Sequence, residues 1–147
     1  MARTDSFSET SFYRVHRLVS QLTKAAEQRL REGSGISFSQ FLVLQALVET
    51  PELSQAQIAV YVGVTPAVMT KQVDYLCSAG WVVRSASPTD RRQHVIKLSA
   101  GGRRLITRLK GEIERLLDHE LAGLLLPHYR AKLAETASQL SFEPPAS

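Results

Sequence analysis

Apolar residues recur at steps of three and four positions along the first part of the chain. This spacing predicts a long amphipathic helix over residues 9–31, ended by Gly33 and Gly35. A second, more apolar helix is predicted over residues 39–49, because Thr50-Pro51 breaks the pattern. The apolar stripe of the first helix consists of Phe12, Val15, Leu18, Val19, Leu22, Ala26 and Leu30.

Signals for helix starts and a helix end lie close together in the middle of the chain. Ser54 and Gln57 have the spacing of a capping box, so a short helix begins at Ser54. Gly63 can adopt the left-handed conformation that ends a helix. Thr65-Pro66 combines an N-cap residue with a proline at the first helical position, and a second helix follows over residues 65–78. The spacing predicts a helix-turn-helix.

The second half of the chain changes from β-prone to helical patterns. Two short runs over residues 81–85 and 94–98 predict a β-hairpin, which we call the wing. Leucine and isoleucine then recur at helical period over residues 105–124. They predict a long helix that begins at residue 100 behind a serine cap. A last helix is predicted over residues 128–140.

Composition narrows the class of protein. The chain has 147 residues, of which 44% are hydrophobic and 22% charged, which is typical of one globular domain. The single cysteine, Cys77, excludes an internal disulfide and fits a cytoplasmic location. No apolar run reaches the length of about 18 residues that a membrane helix needs, and the N-terminus has no signal-like stretch, so neither membrane insertion nor export is expected.

Positive charge is concentrated in one segment. Residues 84–104 carry six basic residues and one acidic residue, a net charge of +5, whereas the other residues sum to −1. Such a block is typical of a surface that binds a polyanion such as DNA. An ordinary solvated surface is the alternative interpretation.

Catalytic and metal-binding patterns are missing from the sequence. The four histidines share no metal-ligand spacing, and no phosphate-binding glycine motif links a strand to a helix. No acid, base or nucleophile cluster exceeds chance. The sequence therefore predicts no metal, no cofactor and no enzyme activity.

The order of helix, helix-turn-helix, hairpin and helix is that of a winged helix, and several local motifs narrow the family. The motifs are Val73-Asp74-Tyr75-Leu76, Gly80-Trp81-Val82, Pro88-Thr89-Asp90-Arg91-Arg92 and Leu98-Ser99 with Gly102. With them the chain resembles the MarR family of bacterial transcription regulators over nearly its whole length. Ser87 stands where that family usually has aspartate, Ser99 where it has threonine, and Gln72 where it has an apolar residue.

The resemblance implies that residues 1–147 form a single domain and that two copies of the chain form a homodimer. Dimerisation helices over residues 9–36 and 100–142 would interlock between two chains, and the winged-helix region over residues 37–99 would bind double-stranded DNA. The fold class is mainly α, with a two-stranded β wing. A helix of 23 residues is about 35 Å long, too long to bury its stripe against one small core, which agrees with a dimer. A self-contained monomeric bundle is the alternative.

The first two turns of the second helix of the helix-turn-helix are the predicted base-reading element. At 100° per residue, Met69, Val73 and Leu76 face inward. Small and apolar side chains on the other face suit thymine methyl groups, and a lysine suits guanine or phosphate. The candidate contacts are Thr65, Ala67, Val68, Thr70 and Lys71. The alternatives are that Thr65 is a helix cap only and that Lys71 is a solvated lysine.

The wing supplies a second group of candidate DNA contacts, namely Arg84, Asp90, Arg91 and Arg92. The resemblance assigns the minor-groove contact to Arg92, because a narrow minor groove concentrates negative potential. Asp90 is placed to orient a wing arginine through a bidentate ion pair. A solvated hairpin is the alternative.

The resemblance also implies a small aromatic or anionic effector, bound between the dimer helices and the winged helix. Aromatic residues in the relevant elements are candidates, although this spacing is equally typical of core residues. They are Phe12, Tyr13, His16, Phe38, Phe41 and Tyr61. Cys77 is expected at the edge of the buried stripe as a packing residue, with a redox sensor as the alternative.

These patterns lead to one functional hypothesis and one alternative. The hypothesis is a sequence-specific DNA-binding transcriptional regulator, a ligand-responsive repressor that binds a palindromic operator as a homodimer. The alternative is a dimeric winged-helix module that binds proteins and reads no specific DNA. The basic wing favours the first.

Overall fold

The structure is a computed structural model that describes residues 11–87 and 94–122, together with Ala131, Glu135 and Gln139. The three isolated positions are helical, and the rest of the helix predicted over residues 128–140 lies outside the described residues. The elements are α1 (Ser11–Ser34), α2 (Phe38–Glu49), β1 (Leu53–Ser54), α3 (Gln55–Val62), α4 (Pro66–Ser78), β2 (Val82–Ala86), β3 (His94–Leu98) and α5 (Ala100–Ala122).

Side-chain caps set the starts of three helices. The predicted capping box of α3 is confirmed: the Ser54 hydroxyl accepts from the backbone N–H of Gln57 at 3.2 Å, and the Gln57 side chain accepts from the Ser54 N–H at 2.9 Å. The N-cap of α4 is also confirmed, since the Thr65 hydroxyl accepts from the N–H of Val68 at 3.3 Å. Ser37 forms a further capping box at α2 that was not predicted.

The turn between α3 and α4 has the geometry that the sequence predicts. Gly63 has a φ of 75°, in the left-handed region, and its N–H bonds to the carbonyl of Ala59 at 2.9 Å. Only Gly63, Val64 and Thr65 separate the two helices, so the helix-turn-helix is confirmed. The predicted end of α1 at residue 31 is three residues too early, because Gly33 lies within the helix and, of the two glycines there, Gly35 is the one with a positive φ.

The sheet has one strand more than the sequence predicts. The wing strands β2 and β3 pair antiparallel, with Val82 opposite Leu98 and Ala86 opposite His94. β1 then pairs with the other edge of β3, so the strand order is β1-β3-β2. A strand of two residues, Leu53–Ser54, carries no alternating pattern, which explains why the sequence did not reveal it.

The core joins α2 to the helix-turn-helix, the sheet and the first half of α5. The side chains that are essentially inaccessible come from every one of these elements and from the α1–α2 connection, so burial of apolar surface holds them in one unit. They include Ile36, Val43, Leu44, Ile58, Met69, Val73, Leu76, Ile96 and Leu109. This single core fixes the position of α4 relative to the wing.

The apolar stripe of α1 divides into a buried half and an exposed half. Ala26 and Leu30 are buried in the core, whereas Phe12, Val15 and Val19 are 77%, 60% and 55% exposed. The three exposed side chains follow steps of three and four residues and therefore lie on one side of the helix. Among the described residues, none covers the apolar surface at the start of α1.

The start of α5 lies directly against the backbone at Trp81. The Ser99 hydroxyl accepts from the N–H of Gly102 at 2.9 Å and donates to the carbonyl of Gly80 at 2.6 Å. A Cβ atom on Gly102 would come within 1.9 Å of the Trp81 carbonyl oxygen. On the neighbouring Gly101, the nearest atom would be 3.5 Å away, which is ordinary van der Waals contact. Only glycine therefore fits at position 102.

Substitution of these two adjacent glycines should have opposite effects on stability. We expect Gly102→Ala to lower the free energy of unfolding by about 1–3 kcal/mol or more, because the added methyl group forces the helix away from Trp81. Gly101→Ala should raise it by about 0.4–1 kcal/mol through helix propensity and the unfolded chain. Urea unfolding at one fixed protein concentration measures both. A stable Gly102→Ala variant would contradict the close approach.

The cap of α4 makes a second stability prediction. Thr65→Ala should cost about 0.5–2 kcal/mol, because the N–H of Val68 loses its acceptor. Thr65→Ser keeps the hydroxyl and should stay close to the wild-type value. Thermal unfolding of the two variants side by side makes the comparison, and equal losses in both would show that the methyl group, rather than the hydroxyl, is what matters.

Candidate nucleic-acid interface

The two faces of α4 differ sharply in burial. Met69, Val73 and Leu76 each have an exposed fraction of 0%, which confirms that they face inward. The opposite face exposes the five residues expected to contact DNA. We call this set the DNA-reading surface; it consists of Thr65, Ala67, Val68, Thr70 and Lys71. Because α4 is anchored by three fully buried side chains, this surface is held rigidly on the outside of the molecule.

One member of the DNA-reading surface is tied to α3 by a contact that sequence reasoning missed. The Thr70 hydroxyl donates to the carbonyl of Pro66 at 3.0 Å and accepts from the side-chain amide of Gln55 at 2.6 Å. Gln55 is the first residue of α3. Its side chain therefore lies at the edge of the DNA-reading surface. No local pattern could have placed it there, because Gln55 and Thr70 belong to different helices.

Arg84, the only predicted wing contact within the described residues, is paired with α4. Its guanidinium donates to the carboxylate of Asp74. Both side chains are substantially exposed, so the pair contributes little to stability. It does connect β2, the first strand of the wing, to α4, the predicted recognition helix. The sequence gives no signal for this pair, because Asp74 and Arg84 belong to different elements.

A second acidic residue reduces the charge of the basic segment. Lys97 of β3 pairs with Glu52 at 2.5 Å, just before β1. The segment over residues 84–104 carries +5 in sequence, and its two acidic partners in space, Asp74 and Glu52, lower the local sum to +3. The positive field of the wing is therefore weaker than the sequence count suggests.

The remaining candidate wing contacts, Asp90, Arg91 and Arg92, lie outside the described residues. The proposed pairing of Asp90 with a wing arginine and the minor-groove role of Arg92 therefore stay predictions. Ser87, the position that departs from the family pattern, is the last described residue before them and is buried.

The candidate effector residues fall into separate places. Phe38 and Phe41 stack at the start of α2, with ring centroids 6.0 Å apart, and Phe41 is part of the core. Tyr61 belongs to α3, and its hydroxyl donates at 3.0 Å to the carboxylate of Glu49, the last residue of α2. The last three candidates, Phe12, Tyr13 and His16, occupy the first turns of α1. An effector pocket formed by all six stays a prediction.

Within the described residues, the pKa values of two side chains, Tyr61 and Cys77, are shifted. Burial, and then the hydrogen bond to Glu49, raise the pKa of Tyr61 to about 12. The pKa of the Cys77 thiol is raised, and burial is the main cause. The positive charge of Arg84 lowers this pKa by less than burial raises it, and the negative charge of Asp74 raises it slightly further. A raised thiol pKa means less thiolate at neutral pH, which favours Cys77 as a packing residue over a redox sensor.

Within residues 11–87 and 94–122, no group of three or more His, Cys, Asp or Glu side chains is placed to hold a metal ion. None of the helices in the described part of the chain has the length and apolar character of a membrane span.

Comparison with known proteins gives the same family at the level of sequence. The MarR family model matches residues 34–93. The HTH-type transcriptional repressor Mb2911 of Mycobacterium bovis is 33% identical over 96 residues, which are 65% of this chain and 69% of that protein. A Thauera aromatica protein named for transcriptional regulation of the hcr operon is 32% identical over 107 residues, but the match spans only 64% of its length.

Solved structures agree in fold. The transcriptional repressor CouR, bound to a 23-mer DNA duplex, superposes with a TM-score of 0.78 at 25% identity and covers 95% of this chain and 98% of its own. CouR from Rhodococcus jostii RHA1, bound to p-coumaroyl-CoA, gives 0.79 at 23% identity, with 98% and 100% coverage. The helix-turn-helix, the wing and these relatives lead to one conclusion: the chain belongs to the MarR family of winged-helix transcription regulators.

Proposed function

We propose that the protein is a homodimeric, sequence-specific DNA-binding repressor that acts at an inverted-repeat operator and responds to a small aromatic or anionic effector. The observation that carries this proposal is the division of α4 into a fully buried face and an exposed DNA-reading surface. A helix held in this way can enter the major groove without losing its own packing.

The chemistry of the DNA-reading surface suits base contacts. Ala67 and Val68 offer methyl groups that can pack on thymine, and Lys71 offers three donors to guanine or to a phosphate. Thr65 and Pro66 set the helix start, where Pro66 has no N–H and Val68 donates to the Thr65 hydroxyl, so the backbone N–H of Ala67 is the one that can donate to a phosphate. Base contacts would give the sequence preference, and phosphate contacts would fix the position on the duplex.

The wing is proposed to contribute a contact of a different kind. Arg91 and Arg92 would follow the minor groove, where binding depends on groove width and charge rather than on individual bases. Arg84, held by Asp74, would act at the base of the wing as a connection to α4 rather than as a free phosphate contact. The wing would thus add affinity while α4 adds selectivity.

The uncovered apolar surface at the start of α1 supports the homodimer. Phe12, Val15 and Val19 form a stripe that a second copy of the chain would cover, and a two-fold dimer presents two equivalent recognition helices. Such a dimer requires an operator with two half-sites about 34–36 Å apart. The repressor names of the Mycobacterium relative and of CouR, and the complexes of CouR with DNA and p-coumaroyl-CoA, support repression and effector response.

The dimer can be tested through the exposed stripe. Wild-type protein at micromolar concentration should sediment at twice the chain mass of 16.3 kDa. The double variant Val15→Glu, Val19→Glu should shift toward the single-chain mass, because it buries two charges in the interface. Val48→Glu, which changes an exposed valine on α2, is the matched control and should remain dimeric. A wild-type monomer would exclude the operator arrangement proposed above.

Lys71→Ala and Arg92→Ala should weaken DNA binding in different ways. If Lys71 contacts guanine, its loss should cost about 1–3 kcal/mol per half-site and relax the preference at one base position. Loss of Arg92 should weaken binding to all operator variants alike and make the salt dependence shallower by about one in log–log slope per half-site. Binding titrations against a set of operator variants at several salt concentrations measure both effects.

The control for both variants is Lys110→Ala, which removes an exposed lysine from α5. It should leave the preference and the salt slope unchanged. An Arg92→Ala protein that stays folded and dimeric, with wild-type affinity and salt slope, would exclude the wing as a DNA contact. That result would favour the protein-interaction module over the DNA-binding regulator.

A further inference from the structure

An open groove lies where α5 begins, on the outside of the core. It has a volume of about 270 Å³, and we call it the Trp81 groove; its lining residues are Trp81, Gly101, Arg104, Leu105 and Arg108. The tryptophan ring is half-exposed and Leu105 is buried, so these two side chains give the groove an apolar floor and wall. Arg104 and Arg108 are both exposed. They are four residues apart, about one turn of α5, so both side chains lie on the same side of the helix.

Gly101 lines the open floor of this groove, although the packing around it does not require glycine. An added Cβ would touch the six-membered ring of Trp81 at 3.5 Å, a distance that packing tolerates. Glycine is also a poor residue for the first turn of a helix. Gly102 beside it is required by the Trp81 carbonyl, but Gly101 is not. What Gly101 provides is open space against one edge of an aromatic ring.

Arg104 and Arg108 have no acidic partner among the described residues. Neither makes an ion pair within the described residues, although Glu112 stands one turn beyond Arg108. The carboxylate of Glu112 is directed to Gly33 of α1 instead. No acidic residue occurs over positions 91–111 of the sequence. Two like charges one turn apart on a helix repel each other, so their placement has a cost that an anion would relieve.

We propose that the Trp81 groove binds a phosphate monoester carried on a planar ring. The ring would lie on Trp81 and Leu105 above Gly101, as flat rings pack on tryptophan. The phosphate would lie between Arg104 and Arg108, whose guanidinium groups donate in a fork that matches phosphate oxygens. A monoester carries a charge of about −1.5 to −2 at neutral pH, which matches two arginines better than a single carboxylate does.

This site is separate from the DNA-reading surface. Trp81 lies three residues beyond Ser78, the last residue of α4, whereas the base-reading residues end at Lys71, and the seven residues of helix from Lys71 to Ser78 are about 10 Å long. The ligand is therefore a small molecule bound at the back of the winged helix rather than the operator itself. Loss of this site would leave the proposed operator binding untouched.

Fluorescence of Trp81 tests the proposal directly, because it is the only tryptophan of the chain. Phenyl phosphate is the probe, and phenol, inorganic phosphate and benzoate represent the ring alone, the anion alone and a ring with a single charge. We expect a saturable change with phenyl phosphate and binding at least about tenfold weaker for the other three. Equal binding of any of these three, or no saturable change with phenyl phosphate, would overturn the proposal.

Variants locate the binding within the groove. Arg104→Gln and Arg108→Gln should each weaken phenyl phosphate binding by about tenfold or more, whereas Arg103→Gln, a neighbouring exposed arginine that does not line the groove, should bind as wild type. Gly101→Ala should weaken binding while its midpoint of urea unfolding is unchanged or higher. Wild-type affinity in all three groove variants would overturn the assignment. Displacement of phenyl phosphate by duplex DNA that lacks the operator would do the same.

Discussion

The close contact between the first turn of α5 and the backbone of Trp81 joins the three parts of the winged helix. The Trp81 carbonyl accepts from the N–H of Ser99 at 3.1 Å and shares the Ser99 hydroxyl proton, at 3.2 Å, with the nearer Gly80 carbonyl. Gly102 fits against the Trp81 carbonyl because it has no side chain. Trp81 stands between the end of α4 and the start of β2, while Ser99 stands between β3 and α5. The angle between recognition helix, wing and α5 is therefore set at one point.

Local signals in the sequence predicted most of the fold because they act within a few residues. The capping box at Ser54, the left-handed Gly63 and the Thr65-Pro66 start are each complete within one helical turn, and all three were found in place. The short strand β1 could not be predicted, since it exists only through its pairing with a distant strand. The sequence identified the exposed residues of α4 by periodicity alone, but not the neighbours that hold them.

Pairing in space changes the meaning of the charge pattern. The basic block over residues 84–104 divides into two surfaces in the structure. Arg84 and Lys97 of the wing are matched by Asp74 and Glu52, whereas Arg104, with Arg108 one turn further along α5, makes no ion pair within the described residues. The sequence could not separate them, because both acidic partners lie outside the block. Counting charges along the chain therefore overstated the field of the wing and concealed the groove behind it.

The hydrogen bonds of Thr70 limit what this side chain can offer to a base. Its hydroxyl has a single proton, which the Pro66 carbonyl accepts, and one of its two lone pairs is occupied by Gln55. While these bonds hold, Thr70 presents a methyl group and one remaining acceptor, and it has no donor. It can pack on the thymine methyl group or accept from the amino group of adenine or cytosine, but it cannot donate to the guanine O6 or N7 atoms. A contact between helices would in this way narrow the choice of base at one operator position.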